Sequence, residues 1–567
     1  MAGHTAQVGD RFTTVVAARN KVPAPGTTAK ALYYPSSPPE NATYNPNRPE
    51  KYDLLNLPIR SQEEYYHTIN RLSTPFLSAR AQAKITTETG VSGLPLCAAS
   101  EAFIHPTFFP LDPFHLFYEN VMTFIWDIWT GVHAKEPDPV RLPDGKMKEL
   151  GAYIFKGVAT LPPSFCGPIR DPYEKRNSQF KIFEWMAILH WYFIPIAIEL
   201  RLNQDVVQNF AKLVRIIEFA MTPIPRSEEE LRELELLTRD FLVEFETVYV
   251  QGIPDNISRM RLCVFQLIHV PRHIKWNGSV RAGSQATTER LIGEFGRKIS
   301  SQKSPYANLS NLIYEAELIK ILCLYLPALE PPMLLPSDKE NSSKSKKTGP
   351  TGLSQEHSVT IKARQDRNSA LSAELDAIAS HLENTGISVD LRSRHLEGVV
   401  LRRWGKYNIA KSDTTLRSRI AELKTTTARY YRWFEVCCTY SNADDMAIEN
   451  AAIRNQPVKR IYGEAIAFYS IELEAKPDNL IRIAIYNPLK RVKHPLQCAV
   501  QGRWATDGGL CAVACSSITD VVGIWGPANS DNIYILRKHP GLSFLTEEER
   551  GQSILDSDNA DFEDSTS

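Results

Sequence analysis

The sequence has no surplus of either charge. Its 567 residues carry 65 Lys and Arg against 65 Asp and Glu, a formal net charge of +0. A global electrostatic case for a nucleic-acid or membrane partner is thereby excluded, and any such case must be local. There is no C-x-x-C pair either. The nine cysteines, at positions 97, 166, 263, 323, 437, 438, 498, 511 and 515, are scattered and odd in number. That pattern excludes a paired-cysteine zinc module and reads as reduced thiols rather than a disulfide framework. The N-terminal residues lack the basic-then-apolar pattern of a secretory signal. Long apolar runs are missing too. The richest spans 14 residues, 185–198, bounded by Glu184 and Glu199 and interrupted by His190 and Pro195. It is too short to cross a bilayer and predicts a buried helix. These absences lead to an intracellular chain with no membrane partner, in which the N-x-S/T triplets at Asn41 and Asn308 carry no weight. No internal repeat is visible.

What is present is globular: 43% apolar residues, 10% aromatics and 37 prolines. The length corresponds to about two to four domains. Residues 1–51, rich in Pro, Ala, Thr and Asn without periodicity, are expected to be disordered. Residues 52–330 read as helical, with helices expected at 61–90, 114–131, 178–201, 204–222, 258–275, 287–301 and 308–326. The clearest start is Ser227, with Glu230 three residues on completing a capping box. Leu231, Leu234, Leu237, Phe241 and Phe245 then fall on one face. A Ser/Lys-rich linker is expected at 331–366 and a helical connector at 367–455, with helices at 367–385 and 412–438. Short β-prone runs at 461–473, 480–489, 497–505, 510–525 and 532–538 predict a separate small β-barrel or sandwich over 456–540. Residues 541–567 form an acidic tail expected to be disordered. The expected fold class is thus mainly α with a small C-terminal β-domain.

Two segments have the makings of chemistry. In residues 108–120, apolar β-prone residues lead into Asp112, and Pro113 opens a helix carrying His115 and Asn120. Asp112 reads as a helix N-cap, or as a carboxylate at a strand end where a divalent metal is held. In residues 269–311, Glu289 lies beside the apolar face of a helix, with Gly293 and Gly296 on the next turns. The glycines would leave a low surface where a phosphate could approach; the alternative is a solvated Glu on a weak helix. Between Arg259 and Lys303 there are nine basic residues and two acidic ones. Arg272, Lys275, Arg281, Arg290, Arg297, Lys298 and Lys303 form the candidate DNA-binding strip, since such side chains neutralise phosphates. An ordinary solvated surface explains it equally well. The run 429–433, Arg-Tyr-Tyr-Arg-Trp, suits packing better than base stacking.

Taken in order, these segments resemble the CACTA (En/Spm-type) transposases of the kind abundant in fungal genomes. The resemblance rests on LPIRSQEE at 57–64, GVSGLPL at 90–96, FPLDPFHLFYEN at 109–120, IWTG at 128–131 and QLIHV at 266–270. It continues through the E-R-x-x-G-x-x-x-R pattern from Glu289 to Leu309, then YGE at 462–464 and GRW at 502–504. It covers about residues 52–330 well and 455–540 loosely. It implies an RNase H-like core with a helical insertion, in which a D-D-E trio holds two Mg2+ or Mn2+ ions for in-line phosphoryl transfer on DNA.

On that resemblance Asp112 is the second Asp and Glu289 the Glu, as metal ligands and catalytic residues, with His115, Asn120 and His269 as supporting residues. The two carboxylates are then expected within roughly 8 Å of each other. The expected first Asp and its sheet have no counterpart upstream of Asp112, so the chain reads as the C-terminal part of a transposase, truncated and catalytically defective. The implied partner is double-stranded DNA at transposon ends, the location nuclear, and self-association into a homo-oligomer compatible. The competing readings are a non-enzymatic DNA- or chromatin-binding protein and a helical interaction scaffold.

Overall fold

The computed structural model describes residues 7–326, 359–361 and 369–538, apart from 20–31, 40–42, 45–47, 132–137, 176–179, 301–302, 388, 390, 392–398, 410–413, 424–428, 439–458, 474–475, 493, 495, 497–498, 506–508 and 528–530. The acidic tail and, apart from Val359–Ile361, the expected linker lie outside the described residues.

The first part of the chain is a helical body. Its longest buried members are Gln204–Met221 and Glu228–Phe245, which pack side by side. The expected capping box is present: the Ser227 hydroxyl accepts the Glu230 N–H (3.2 Å), and Glu230 accepts the Ser227 N–H (2.9 Å). Leu231, Leu234, Phe241 and Phe245 are buried, as their spacing requires. The apolar stretch Ile182–Glu199 lies 72% buried in the body. Trp129 stacks on Phe193 at 4.0 Å and donates its indole N–H to the Tyr249 hydroxyl (3.0 Å), so neither polar group of this aromatic centre is stranded.

The expected disorder of residues 1–51 is corrected over the described part. Phe12, Val15, Ala17, Leu32 and Tyr34 join the main core. The Arg48 side chain is buried and donates to the carbonyls of Val16 (3.0 Å), Pro35 (2.6 Å) and Pro49 (2.7 Å). The short strands β1 (Ala18–Arg19) and β2 (Thr43–Tyr44) pair antiparallel. Proline-rich composition hid this because the segment is ordered by distant partners, not by its own periodicity.

The remaining strands are β3 (Val359–Ile361), β4 (Val399–Trp404), β5 (Lys406–Ile409), β6 (Thr414–Arg417), β7 (Trp433–Cys438), β8 (Lys459–Leu473) and β9 (Lys476–Val492). Then come β10 (Val500–Trp504), β11 (Cys511–Ala514), β12 (Ile518–Val521), β13 (Gly523–Trp525) and β14 (Ile533–Leu536). The large sheet runs β12-β7-β8-β9-β10-β14-β13, all antiparallel. Only Val522 separates β12 from β13, and its N–H bonds to the Trp433 carbonyl (2.9 Å). The sheet therefore curls until its first and last strands are one stretch of chain, nearly closing a barrel and protecting its edges. At Gly463 a Cβ would collide with the Tyr486 ring, so the close approach of β8 and β9 requires glycine there.

Two expected boundaries are corrected. Residues 367–455 are not a helical connector. Among the described residues only Ser369–Asn384 and the short Arg419–Leu423 are helical there, while β4 to β7 lie in that stretch. The expected helix over 412–438 is broken because Thr414–Arg417 and Trp433–Cys438 find strand partners in β5, β8 and β12. Nor is 456–540 a separate domain. One core cluster contains Trp129 and Phe210 of the body together with Phe434, Phe468 and Trp525 of the sheet. Arg429, at the start of the aromatic–basic run, donates to the carbonyls of Leu161 (2.8 Å), Pro162 (3.0 Å) and Cys166 (2.6 Å). That run is a fastener between body and sheet.

Candidate functional site

Asp112 precedes the helical run Phe114–Met122, which continues as Thr123–Thr130. Its Oδ1 accepts the Phe114 N–H (3.1 Å), with Pro113 supplying the preset φ of a helix start. The same oxygen accepts the N–H of Gln285 (3.2 Å), the residue that opens helix Ala286–Lys298. One carboxylate thus satisfies donors at the starts of two helices, where the helix dipoles favour negative charge. Among the described residues no sheet strand lies between Tyr44 and Val359, which corrects the strand-end placement of Asp112.

Oδ2 of Asp112 is bonded to Nδ1 of His115. An ionised carboxylate only accepts, so that ring nitrogen carries a proton. Nε2 of the same ring faces Glu119 (3.5 Å) and Glu289 (4.0 Å). Asp112 and Glu289, 177 positions apart in sequence, therefore converge on opposite nitrogens of one imidazole. Side-chain exposure rises from 10% at Asp112 to 34% at His115 and 51% at Glu289, so the outer end of the cluster is open to a solvent-borne ligand. Asn120 takes no part in the cluster itself. Its amide donates to the His115 carbonyl (2.8 Å) and supports the widened turn there.

Glu119 is the member that sequence reasoning missed. Asp112, His115 and Glu119 are spaced three and four residues apart, the spacing that puts side chains on one helical face. Gly293 and Gly296 need no special account: a Cβ at Gly296 would meet nothing within 4 Å, and one at Gly293 only the Arg297 side chain (3.6 Å).

The basic strip divides. Arg290, Arg297, Lys298 and Lys303 are exposed, on or just beyond the helix that carries Glu289. Lys298 pairs with Glu294 (2.5 Å), and Lys275 with Glu228 (2.9 Å). Arg281 is half-buried. Arg272 lines a small cleft with Leu54, Glu235 and His269. Arg259 is consumed internally by Asp138 and the Tyr249 carbonyl (2.7 Å), and Arg261 covers the Phe124 ring at 4.1 Å.

His269 is a correction. It is 3% exposed and its Nε2 bonds to Asp10 (2.9 Å), not to the Asp112 cluster. Burial pushes the Asp10 carboxyl up, but the charge and hydrogen bond of His269, with the Thr13 N–H and hydroxyl, bring it below its usual value.

Both Asp112 oxygens are engaged, and among the described residues no group of three or more His, Cys, Asp or Glu side chains is placed to hold a metal ion. As arranged, the cluster can hold a proton at the imidazole and present carboxylates beside exposed cations. No family model matches this chain, and no curated protein sequence matches it.

Proposed function

We propose that the chain is transposase-derived and that its present role is binding double-stranded DNA, with Asp112 and Glu289 marking the ancestral site of metal-dependent cleavage. The observation that carries this reading is the meeting of Asp112 and Glu289 on His115, beside the exposed cations of helix Ala286–Lys298. In an RNase H-like ancestor such carboxylates would hold Mg2+ or Mn2+, which activates the attacking water and stabilises the leaving oxygen. Here both Asp112 oxygens already hold protein partners, and no cleavage step is assigned to these residues. With DNA as the partner, we propose a nuclear location.

Duplex DNA should bind with an affinity that falls as salt rises, because each neutralised phosphate releases counterions. Charge reversal of Arg290, Arg297 and Lys298 to Glu should weaken binding and flatten the salt slope by about 1 for each phosphate no longer neutralised. An unchanged slope would refute the DNA reading. Supercoiled plasmid with Mn2+ should stay intact. Nicking that vanishes in Asp112→Asn would instead restore the enzymatic alternative.

A further inference from the structure

A cavity of about 570 Å3 lies where helix Gln204–Met221 meets the chain between β9 and β10, and it shares no residue with the Asp112 cluster. The helix contributes Gln204, Val207, Gln208, Ala211, Lys212 and Arg215, spaced so that all fall on one face. Val207 and Ala211, with Leu202, make an apolar floor. Around it stand Arg201, Lys212, Arg215 and His494, and among the described residues no Asp or Glu lines the cavity.

These cations differ in what they already hold. Lys212 is paired with Glu244. The guanidinium groups of Arg201 and Arg215 have no partner among the described residues. Arg201 is held with φ at 51°, a left-handed conformation uncommon for a residue with a Cβ. Lys146 secures it by donating to the carbonyls of Leu200 (2.5 Å) and Arg201 (3.2 Å). Nδ1 of His494 accepts the Leu496 N–H (3.1 Å), so in the neutral ring the proton sits on Nε2, a further donor.

We propose that this cavity binds a small amphiphilic anion, a carboxylate carrying an apolar chain or ring. The volume falls within the range of small-molecule sites, about 300–1,000 Å3, which pair an apolar lining with a few polar groups. The carboxylate meets Arg215 and Arg201, whose planar forks suit it. The apolar part covers Val207, Ala211 and Leu202. A bare inorganic anion would leave that floor wet, and an amphiphilic cation would meet like charge.

Isothermal titration of the full chain with decanoate tests the proposal, with inorganic phosphate and decyltrimethylammonium as comparison probes. Decanoate should bind saturably at one site, at least tenfold tighter than either comparison probe. Arg215→Gln should weaken decanoate about tenfold and Arg215→Lys less, while circular dichroism shows both variants folded. Ala211→Trp should abolish binding by filling the floor. Equal binding of decanoate and decyltrimethylammonium, or indifference to Arg215→Gln, would overturn the proposal. So would co-flotation with phosphatidylserine vesicles without binding of monomeric decanoate, since the floor would then be a membrane contact.

Discussion

Asp10–His269 and Asp112–His115 join the same two side chains in opposite surroundings. Asp10 is 0% exposed and bonds to Thr13 and His269 inside the core; one of its oxygens has no hydrogen-bond partner among the described residues. Asp112 is almost as sheltered, but its histidine reaches solvent between Glu119 and Glu289. The first pair ties the N-terminal segment to the body; the second gathers groups from two distant segments at the surface. A carboxylate–histidine contact alone does not mark a functional site. What distinguishes the two is whether the far side of the ring meets water or protein.

A bridge joins them. The buried His273 accepts the Leu111 N–H at Nδ1 (3.3 Å), fixing the backbone just before Asp112. Burial first, then the nearby charge of Arg11, pushes His273 down to about 3, which keeps it neutral and able to accept.

The contrast is most exposed to stability measurements. Asp10→Ala should cost about 3–5 kcal/mol in chemical denaturation, since removing one partner of a buried pair strands the other. Asp112→Ala should cost less, about 2 kcal/mol, as a cap lost from two helix starts. Equal losses would erase the distinction between the pairs.

The pH dependence comes next. The folded state resists protonating His273, at about 3, and His105, which burial and then Arg60 push to about 4, whereas the unfolded chain binds those protons near 6.5. The unfolded state then holds more protons, so stability should fall as pH drops from about 6.5 towards 4, by up to about 1.4 kcal/mol per unit per histidine. Asp10 adds a loss only below its usual 3.8, as pH falls towards its depressed folded value. His273→Leu should reduce the slope; an unchanged melting profile between pH 7 and 4.5 would show that these rings titrate in the folded protein.

Asp112→Asn is a finer probe. Asn also caps helices well, so stability should change by less than about 1 kcal/mol. The neutral amide is a weaker acceptor for the His115 Nδ1–H, so the ring resonances in NMR should shift. The smallest effect is expected for Glu289→Gln, within about 0.5 kcal/mol because the side chain is half exposed. A larger loss would make Glu289 part of the fold rather than of a site.

Particular elements show where sequence reading succeeds. The Ser227 capping box and the apolar face behind it were legible because both are set within a few residues. The stretch 185–198 was legible as a buried helix because it is too short and too interrupted to cross a bilayer. The run 412–438 misled because its strands depend on β5, β8 and β12. Asp112 and Glu289 were marked out by resemblance, while Glu119 and the true partner of His269 were not.

By itself the sequence determined where the Ser227 helix begins, which face it buries, and that the later chain is β-prone. These follow from caps, spacing and side-chain shape, which act over a few residues. Tertiary structure alone decided that Val522 joins the two ends of the sheet, that residues 7–19 pack into the core, and that body and sheet share it. It alone also sent His269 to Asp10 and brought Asp112, His115 and Glu289 together. Each of these contacts joins residues far apart in the chain, so its energy depends on a partner that no local pattern names.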